Sequence, residues 1–335
     1  MMLADTFHRP LRDLRVSVTD RCNMRCTYCM PKEHFGSGYN FLRKTALLSY
    51  EEITRLVQIF VSLGVEKVRI TGGEPLLRKN LDSLLLDLSS LRGLRDLTLT
   101  TNGLLLKRYA KGLKDAGLKR ITISLDSLDQ REFEAINGVE SRVKDVLEGI
   151  RVAHRVGLKP VKINSVIKKG VNEGAIIGLA SFFRGTGCIL RFIEYMDVGN
   201  TNQWRMDEVM PVGEILKVID AYYPLKALEE NYRGEVARRW EYCDGEGEIG
   251  MISSVSHPFC GDCSRARLSP EGRLYTCLFS SQGYDLRKPL RQGADDEELR
   301  NQVIQIWKNR SDRYSEQRDS ISSDYPRVEM SHIGG

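Results

Sequence analysis

The chain has 335 residues, of which 41% are apolar and 28% charged, with a formal net charge of +5 at pH 7. That composition supports a sizeable core, and so small a charge excess excludes a nucleic-acid binder driven by bulk electrostatics. No apolar run is long enough to span a membrane, and Met1 to Arg15 lacks the apolar centre of a signal peptide, so a cytoplasmic protein is expected.

From about residue 11 to 198, strand-like and helix-like patterns alternate. Strands are expected over 14–19, 67–71, 96–101, 120–126, 160–167 and 190–196, and amphipathic helices over 49–63, 81–91, 104–116, 130–136, 143–156 and 173–183. Ser49 followed by Glu52 is a capping box at one helix start. Each crossover is long enough for a helix, which makes neighbouring strands parallel and leaves a barrel or a doubly wound sheet.

Side-chain parity decides between them, because alternate residues of a strand share a face. Arg15, Ser17 and Thr19 share one face; so do Arg69 and Thr71, Thr98 and Thr100, Thr122, Ser124 and Asp126, Lys162 and Asn164, and, more loosely, Glu194 and Met196. A full eight-stranded barrel fills its interior with branched apolar side chains. Polar and cationic groups on one face of six strands instead predict an α/β partial (β/α)6 TIM-like barrel whose inner face lines a wet, substrate-sized cavity. After Gly199 the pattern stops. A helix is expected within 203–221, an irregular charged stretch over 225–244 and a strand over 247–254, with a surface helix and flexible tail in the last forty residues. The expected organisation is a barrel over 1–200, a smaller C-terminal domain over 201–330 and a flexible Gly-Gly tail over 331–335.

Eight cysteines in a cytosolic chain read as metal ligands rather than disulfides. Six form two triplets. Cys22, Cys26 and Cys29 follow the first strand, and three thiolates are one too few for a closed structural zinc site or a fully ligated iron–sulfur cluster. Three buried cysteines or an incomplete zinc site are the plain alternatives, but Asn23, Arg25 and Thr27 are poor apolar filler. Gly72-Gly73-Glu74-Pro75 follows the second strand, either as a tight turn or as bare backbone that lets a ligand approach. The second triplet is Cys260, Cys263 and Cys277; a zinc ribbon completed by Cys243 or His257 is its alternative. Arg265 and Arg267 share a face just after it and suit an anionic substrate. Cys188 and Cys243 are expected to be unligated, and His8, His34, His154, His257 and His332 to lie at the surface or in packing. No Walker A loop and no Ser-His-Asp arrangement is present.

The CxxxCxxC loop, Tyr28 before its last cysteine, and GGEP resemble the radical S-adenosylmethionine (SAM) superfamily. The stretch from Phe259 to Leu268, then Gly272-Arg273-Leu274, Cys277-Leu278-Phe279 and the Gly334-Gly335 end, narrows the resemblance to the GTP 3′,8-cyclase family of molybdenum cofactor biosynthesis. That resemblance implies a [4Fe–4S] cluster on Cys22, Cys26 and Cys29 whose open iron chelates SAM, and a second [4Fe–4S] cluster on Cys260, Cys263 and Cys277 that holds guanine. It implies SAM contacts at Tyr28, Gly73, Ser124 and Met196, and GTP contacts at Arg15, Arg69, Thr100, Lys162, Arg265, Ala266 and Arg267, with Lys67 and Arg191 adding charge around the triphosphate. Arg265, Arg267, Gly334 and Gly335 join the first cysteines as catalytic residues, with the thin tail entering the site. The implied reaction forms a 5′-deoxyadenosyl radical, removes the ribose 3′ hydrogen and joins that carbon to guanine C8, giving (8S)-3′,8-cyclo-7,8-dihydroguanosine 5′-triphosphate. Implied partners are GTP, an unidentified reductant protein and, by pathway, the downstream cyclic pyranopterin monophosphate synthase, with no nucleic acid and no membrane; a homodimer is left open. Two competing readings are a peptide- or protein-modifying radical SAM enzyme with an auxiliary cluster, and a non-catalytic zinc- or cluster-bearing scaffold.

Overall fold

Alternation along the strands builds this molecule, a computed structural model that describes residues 3–321 and 325–335. In chain order the elements are β1 (Asp13–Ser17), α1 (Tyr50–Ser62), β2 (Lys67–Thr71), α2 (Leu81–Ser89), β3 (Asp96–Thr101), α3 (Leu106–Asp115), β4 (Arg120–Ser124), α4 (Gln130–Asn137), α5 (Val143–Arg155), β5 (Val161–Ile167), α6 (Ala175–Phe183) and β6 (Ile189–Glu194). They continue as α7 (Val212–Asp220), β7 (Leu225–Leu228), β8 (Arg238–Tyr242), β9 (Glu248–Ile252), β10 (Arg265–Leu268), β11 (Arg273–Tyr275), β12 (Tyr284–Asp285), α8 (Arg287–Arg291), α9 (Asp296–Lys308), α10 (Tyr314–Gln317) and α11 (Met330–Ile333).

On each of the first six strands one parity is apolar and buried under the helices: Val16, Val68 and Ile70, Leu97 and Leu99, Ile121 and Ile123, Ile163, and Leu190 with Phe192. Each such side chain contributes roughly 1.5–3 kcal/mol when fully buried, and the other parity is left for the cavity. Helix starts follow the sequence signal. Ser49 accepts from the Glu52 amide at 3.1 Å while the Glu52 carboxylate accepts from the Ser49 amide at 2.7 Å. The same reciprocal cap joins Asp295 and Glu298 at the start of α9.

One sheet of twelve strands runs in the order β12-β11-β10-β1-β2-β3-β4-β5-β6-β9-β8-β7. From β10 through β1–β6 to β9 every neighbouring pair is parallel. The partial barrel is therefore flanked on both sides by strands from the C-terminal third, which forms no separate sheet among the described residues. The stretch expected to be irregular, 225–244, is instead the β7–β8 antiparallel hairpin, extended onto β9. Helix α9 lies at the surface but buries Leu299, Val303, Ile306 and Trp307, packing against α1. The tail is also seated: Ser331, Ile333 and Gly334 are buried rather than loose. Among the described residues no helix is long and apolar enough to cross a membrane.

Candidate active site

Parallel strands place like ends together. The first residues of the strands, among them Asp13, Lys67, Asp96, Arg120 and Arg265, mark one pole of the inner face, and the loops after the strands mark the other.

The first cysteine loop leaves β1 at the second pole and is held by backbone. The amides of Arg25 and Thr27 donate to the carbonyls of Asn137 and Ile136 at the end of α4, at 2.7 and 2.9 Å, and those of Cys29 and Met30 donate to the Cys26 carbonyl. Arg25 ties the loop to itself by donating to the carbonyls of Cys22, Met24 and Phe35. Gly138, with φ +63°, lets α4 end this close; a Cβ there would lie 2.4 Å from the Arg25 carbonyl oxygen.

The GGEP turn serves the same loop. The Gly73 and Glu74 amides donate to the carbonyls of Thr19 and Arg21 at 2.7 and 2.8 Å. A Cβ on Gly72 or Gly73 would lie 2.7 Å from the Thr19 oxygen or 2.4 Å from the Arg21 oxygen, so the glycines exist for backbone-to-backbone contact. Both still line the cavity. The buried Glu74 carboxylate accepts from the Leu76 and Asn102 amides and the Thr101 hydroxyl. Burial nevertheless pushes its pKa up to about 7. Asn102 Nδ2 in turn donates to Asn23 Oδ1 at 2.8 Å and lies 3.8 Å from Cys22 Sγ. Tyr28 donates its hydroxyl to Asp126 Oδ2 at 2.6 Å, and the Val166 amide donates to Asp126 Oδ1.

Opposite this loop the inner face is cationic. In register, Arg267, Arg15 and Arg69 lie side by side, as do Arg265, Asp13 and Lys67. Arg69 Nη1 donates to Thr100 and Thr122 at 2.8 and 3.0 Å, Lys67 pairs with Asp13 at 3.1 Å, and Arg120 Nε pairs with Asp96 at 2.8 Å. Burial, reinforced by neighbouring cations, lowers Lys162 to about 8 and Arg191 to about 9 and holds Arg15 well below its usual value. Arg191 Nε and Asn164 Oδ1 are buried without a hydrogen-bond partner among the described residues. Cations crowded this way, with unpaired polar atoms, suit a multiply charged anion.

The second triplet is assembled by the β10–β11 hairpin. Cys263 precedes β10 by two residues and Cys277 follows β11 by two, and their antiparallel pairing brings both to the strand-start pole. Two buried arginines anchor the backbone there. Arg9 Nη1 donates to the Cys260 carbonyl at 2.8 Å, and Arg310 donates to the carbonyls of Cys263 at 2.6 Å and Thr276 at 3.1 Å. Asp5 binds both arginines, at 2.6 and 3.1 Å. The Cys263 thiol, raised by burial, is drawn down to about 6 by Arg265 and Arg310.

The C-terminus closes the wall. His332 Nε2 lies 2.8 Å from Glu271 Oε1, Glu329 Oε1 accepts from the Asn200 amide at 2.9 Å, and Arg267 Nε donates to the Gly334 carbonyl. Gly335 lines the cavity and Gly334 stands one residue behind it.

The two cysteine loops and the cationic wall border one cavity of about 340 Å³. Of the residues expected in the site, Cys22, Cys26, Cys29, Tyr28, Gly73, Ser124, Met196, Arg15, Arg69, Thr100, Lys162, Arg265, Arg267, Cys260, Cys263, Cys277 and Gly335 line it, as do Lys67 and Arg191. Ala266 does not. It is fully buried in the core, paired with Leu14, because it stands between Arg265 and Arg267 and so faces the opposite side of the strand. Cys188 is buried and Cys243 exposed, both outside the cavity. Asp13 and Arg120, not assigned to the site from sequence, line the cavity and share the parity of Arg15 and Thr122; Asn102, Tyr232 and Glu235 also line it and carry no local signal.

Both thiol sets fit a multi-iron cluster. Cys26 is pushed up by burial and then by Cys22 and Cys29, so the three thiols are near neighbours. Sets of three thiols suit a cluster, in which each sulfur takes its own iron and one iron is left open.

Two family models match the chain: the Radical SAM superfamily over residues 16–183 and Molybdenum Cofactor Synthesis C over residues 188–316. The chain is similar to the GTP 3′,8-cyclase of Acidothermus cellulolyticus, at 48% identity over 99% of both chains. It is also similar to that of Xanthomonas axonopodis pv. citri, at 49% over 99% of both. Against the Staphylococcus epidermidis enzyme the identity is 46%, over 100% of this chain and 99% of that one. Among solved structures, Streptococcus suis SuiB bound to S-adenosylmethionine superposes with a TM-score of 0.62 at 17% identity, covering 96% of this chain and 76% of that one. The likeness to SuiB concerns the fold.

Proposed function

The chain belongs to the GTP 3′,8-cyclase family, and from that premise we propose how its cavity works. Its reaction converts GTP to (8S)-3′,8-cyclo-7,8-dihydroguanosine 5′-triphosphate, the first step of molybdenum cofactor biosynthesis. The observation that carries the residue assignment is that both cysteine triplets and the cationic wall border one cavity.

Cys22, Cys26 and Cys29 would hold the [4Fe–4S] cluster, with SAM completing it and resting against Tyr28, Gly73, Ser124 and Met196. Cys260, Cys263 and Cys277 would hold a second cluster, toward guanine. When bound, the first cluster and SAM together supply a 5′-deoxyadenosyl radical able to take a hydrogen atom from carbon.

The chain's own task is positioning. Arg15, Lys67, Arg69, Lys162, Arg191, Arg265 and Arg267 neutralise the triphosphate, and Thr100 orients Arg69. Guanidinium forks approaching from several strands fix the phosphates against rotation and leave the ribose facing the first cysteine loop. The sequence carries no Walker A loop, and cations scattered over several strands serve to bind the triphosphate rather than to cleave it. Gly334 and Gly335, with no side chains to intrude, close the wall beside Arg267 and keep water away from the reacting carbon. A reductant protein would supply the electron.

The test is an anaerobic incubation of reconstituted protein with GTP, SAM and reductant, analysed by mass. The cyclised nucleotide and a GTP-dependent rise in 5′-deoxyadenosine are expected, with about eight irons per chain. Release of 5′-deoxyadenosine that ignores GTP but responds to a peptide would replace this reading with the peptide-modifying one, and zinc without iron would refute both.

A further inference from the structure

The loop that joins β7 to β8, residues 229–237, leaves the far edge of the sheet and reaches the opposite wall of the cavity. There Lys67 Nζ lies 3.2 Å from the Tyr232 hydroxyl and 5.5 Å from its ring centre. Arg233 Nε donates to Asp262 Oδ1, inside the second cysteine loop, at 2.7 Å. Gly234, at φ +85°, comes so near that a Cβ would lie 2.6 Å from the Asp262 carbonyl oxygen. Val236 and Ala237 pack with Ile193, Ile252 and Phe259. The loop is thus a strap across the strand-start pole, pinned at both sides.

Two of its polar side chains, Tyr232 and Glu235, border the cavity beside Val236 and Ala237. The Tyr232 oxygen accepts from Lys67, so its own hydroxyl proton is available to an acceptor in the cavity. The Glu235 carboxylate accepts from the Asn231 amide at 2.9 Å and from Asn231 Nδ2, and Arg239 Nη1 fixes Asn231 Oδ1 at 2.9 Å. That rigid mounting aims a negative charge at the wall of Lys162 and Arg191, whose ionisation it favours.

We propose that the strap selects the substrate by the length of its phosphate chain: Tyr232, beside Lys67, hydrogen-bonds the terminal phosphate, and Glu235 balances the cationic wall until the phosphates take its place. The inference rests on the nucleotide reading of the site. A nucleotide whose ribose faces Cys22–Cys29 must extend its phosphates toward the strand starts, and the last phosphate arrives beneath Tyr232. A diphosphate stops one unit short. Glu235 carries the same sign as the phosphates, so it opposes every nucleotide whatever its chain length.

The two residues therefore predict effects of opposite direction, which a merely misfolded variant does not give. GTP and GDP binding to the reconstituted, SAM-loaded holoenzyme is measured by anaerobic equilibrium dialysis. Tyr232→Phe is expected to weaken GTP about tenfold, the value of one hydrogen bond to a charged group, and to leave GDP unchanged. Glu235→Gln is expected to tighten both nucleotides severalfold. An unchanged GTP-to-GDP ratio in Tyr232→Phe overturns the assignment, as does a Glu235→Gln variant that binds either nucleotide no more tightly than wild type. Wild-type protein that binds neither nucleotide refutes the underlying reading, and the strap assignment falls with it.

Discussion

Arg267 Nε donates to the carbonyl of Gly334 at 3.3 Å, joining the strand after the second cysteine loop to the next-to-last residue of the chain. Gly334 adopts φ +80°, and a Cβ there would lie 2.2 Å from Thr71 Cγ2. Gly334→Ala therefore meets both a left-handed penalty of about 1–2 kcal/mol and a steric overlap at the end of β2. The tail is expected to unseat and cyclisation to fall at least about tenfold, with iron content and SAM binding retained. Product formation beside iron analysis checks this, and so does deletion of Gly334 and Gly335. Normal cyclisation in either variant would refute a working role for the tail.

Glu74 offers a second test. Its Oε1 accepts from the Leu76 amide and the Thr101 hydroxyl, and its Oε2 from the Asn102 amide. Glu74→Gln must turn an NH2 toward one of these donors, at about 1–3 kcal/mol for the donor left unpaired. Displacement of Asn102 would release its contacts with Asn23 and Cys22. Lower thermal stability and poorer iron loading of the first cysteine set are expected, with the second set still filled. Cluster spectra of the variant report each set separately.

Lys162 gives a pH dependence. Burial, then Arg191 and Arg120, lower its pKa to about 8, so in the free protein it is charged below that pH and neutral above it. A bound polyanion restores the charge, so binding takes up a proton as pH rises past 8. GTP affinity should accordingly fall above about pH 8, by at most about tenfold per unit. In Lys162→Met the profile should be flatter and the binding weaker throughout. A wild-type dissociation constant that does not change across this range contradicts the assignment.

Asp5 neutralises two arginines that hold the backbone of the second cysteine set, and all three side chains are at most 2% exposed. Asp5→Ala takes the carboxylate from buried Arg9 and leaves Arg310 with Asp312 at 3.4 Å, at about 3–5 kcal/mol for the broken buried pair. The expected outcome is a lowered melting temperature and iron falling from about eight toward about four per chain. The remaining cluster should still support SAM cleavage without cyclisation. Full iron content in Asp5→Ala would show that the arginines hold the loop without it.

Parity made the inner wall legible. Arg15, Arg69, Thr100, Ser124 and Lys162 could be assigned to one face because alternation along a strand is a local property, and each lines the cavity. The same rule, applied to Ala266, shows why its side chain lies in the core. What stayed hidden depends on distant partners. The β7–β8 hairpin is short, largely half-buried and charged, and draws on cross-strand pairs such as Lys226–Glu241 and on Arg239–Glu248 rather than on apolar alternation. Gly72 and Gly73 look like ligand-facing glycines until Thr19 and Arg21 are set beside them. The Asp5–Arg310 pair spans 305 positions, and no periodicity reports it.

The pairing of β1 with β10 acts as a molecular ruler. Both strands run the same way, with Cys263 two residues before the start of one and Cys22 in the loop that leaves the end of the other. The strand ladder, about 16 Å for five residues, therefore stands between the two cysteine sets and holds them apart. Inserting a single residue into either strand would shift one set against the other by about 3.3 Å. A reaction that loses about a hundredfold for a misplacement of about 1 Å would be lost long before the fold was.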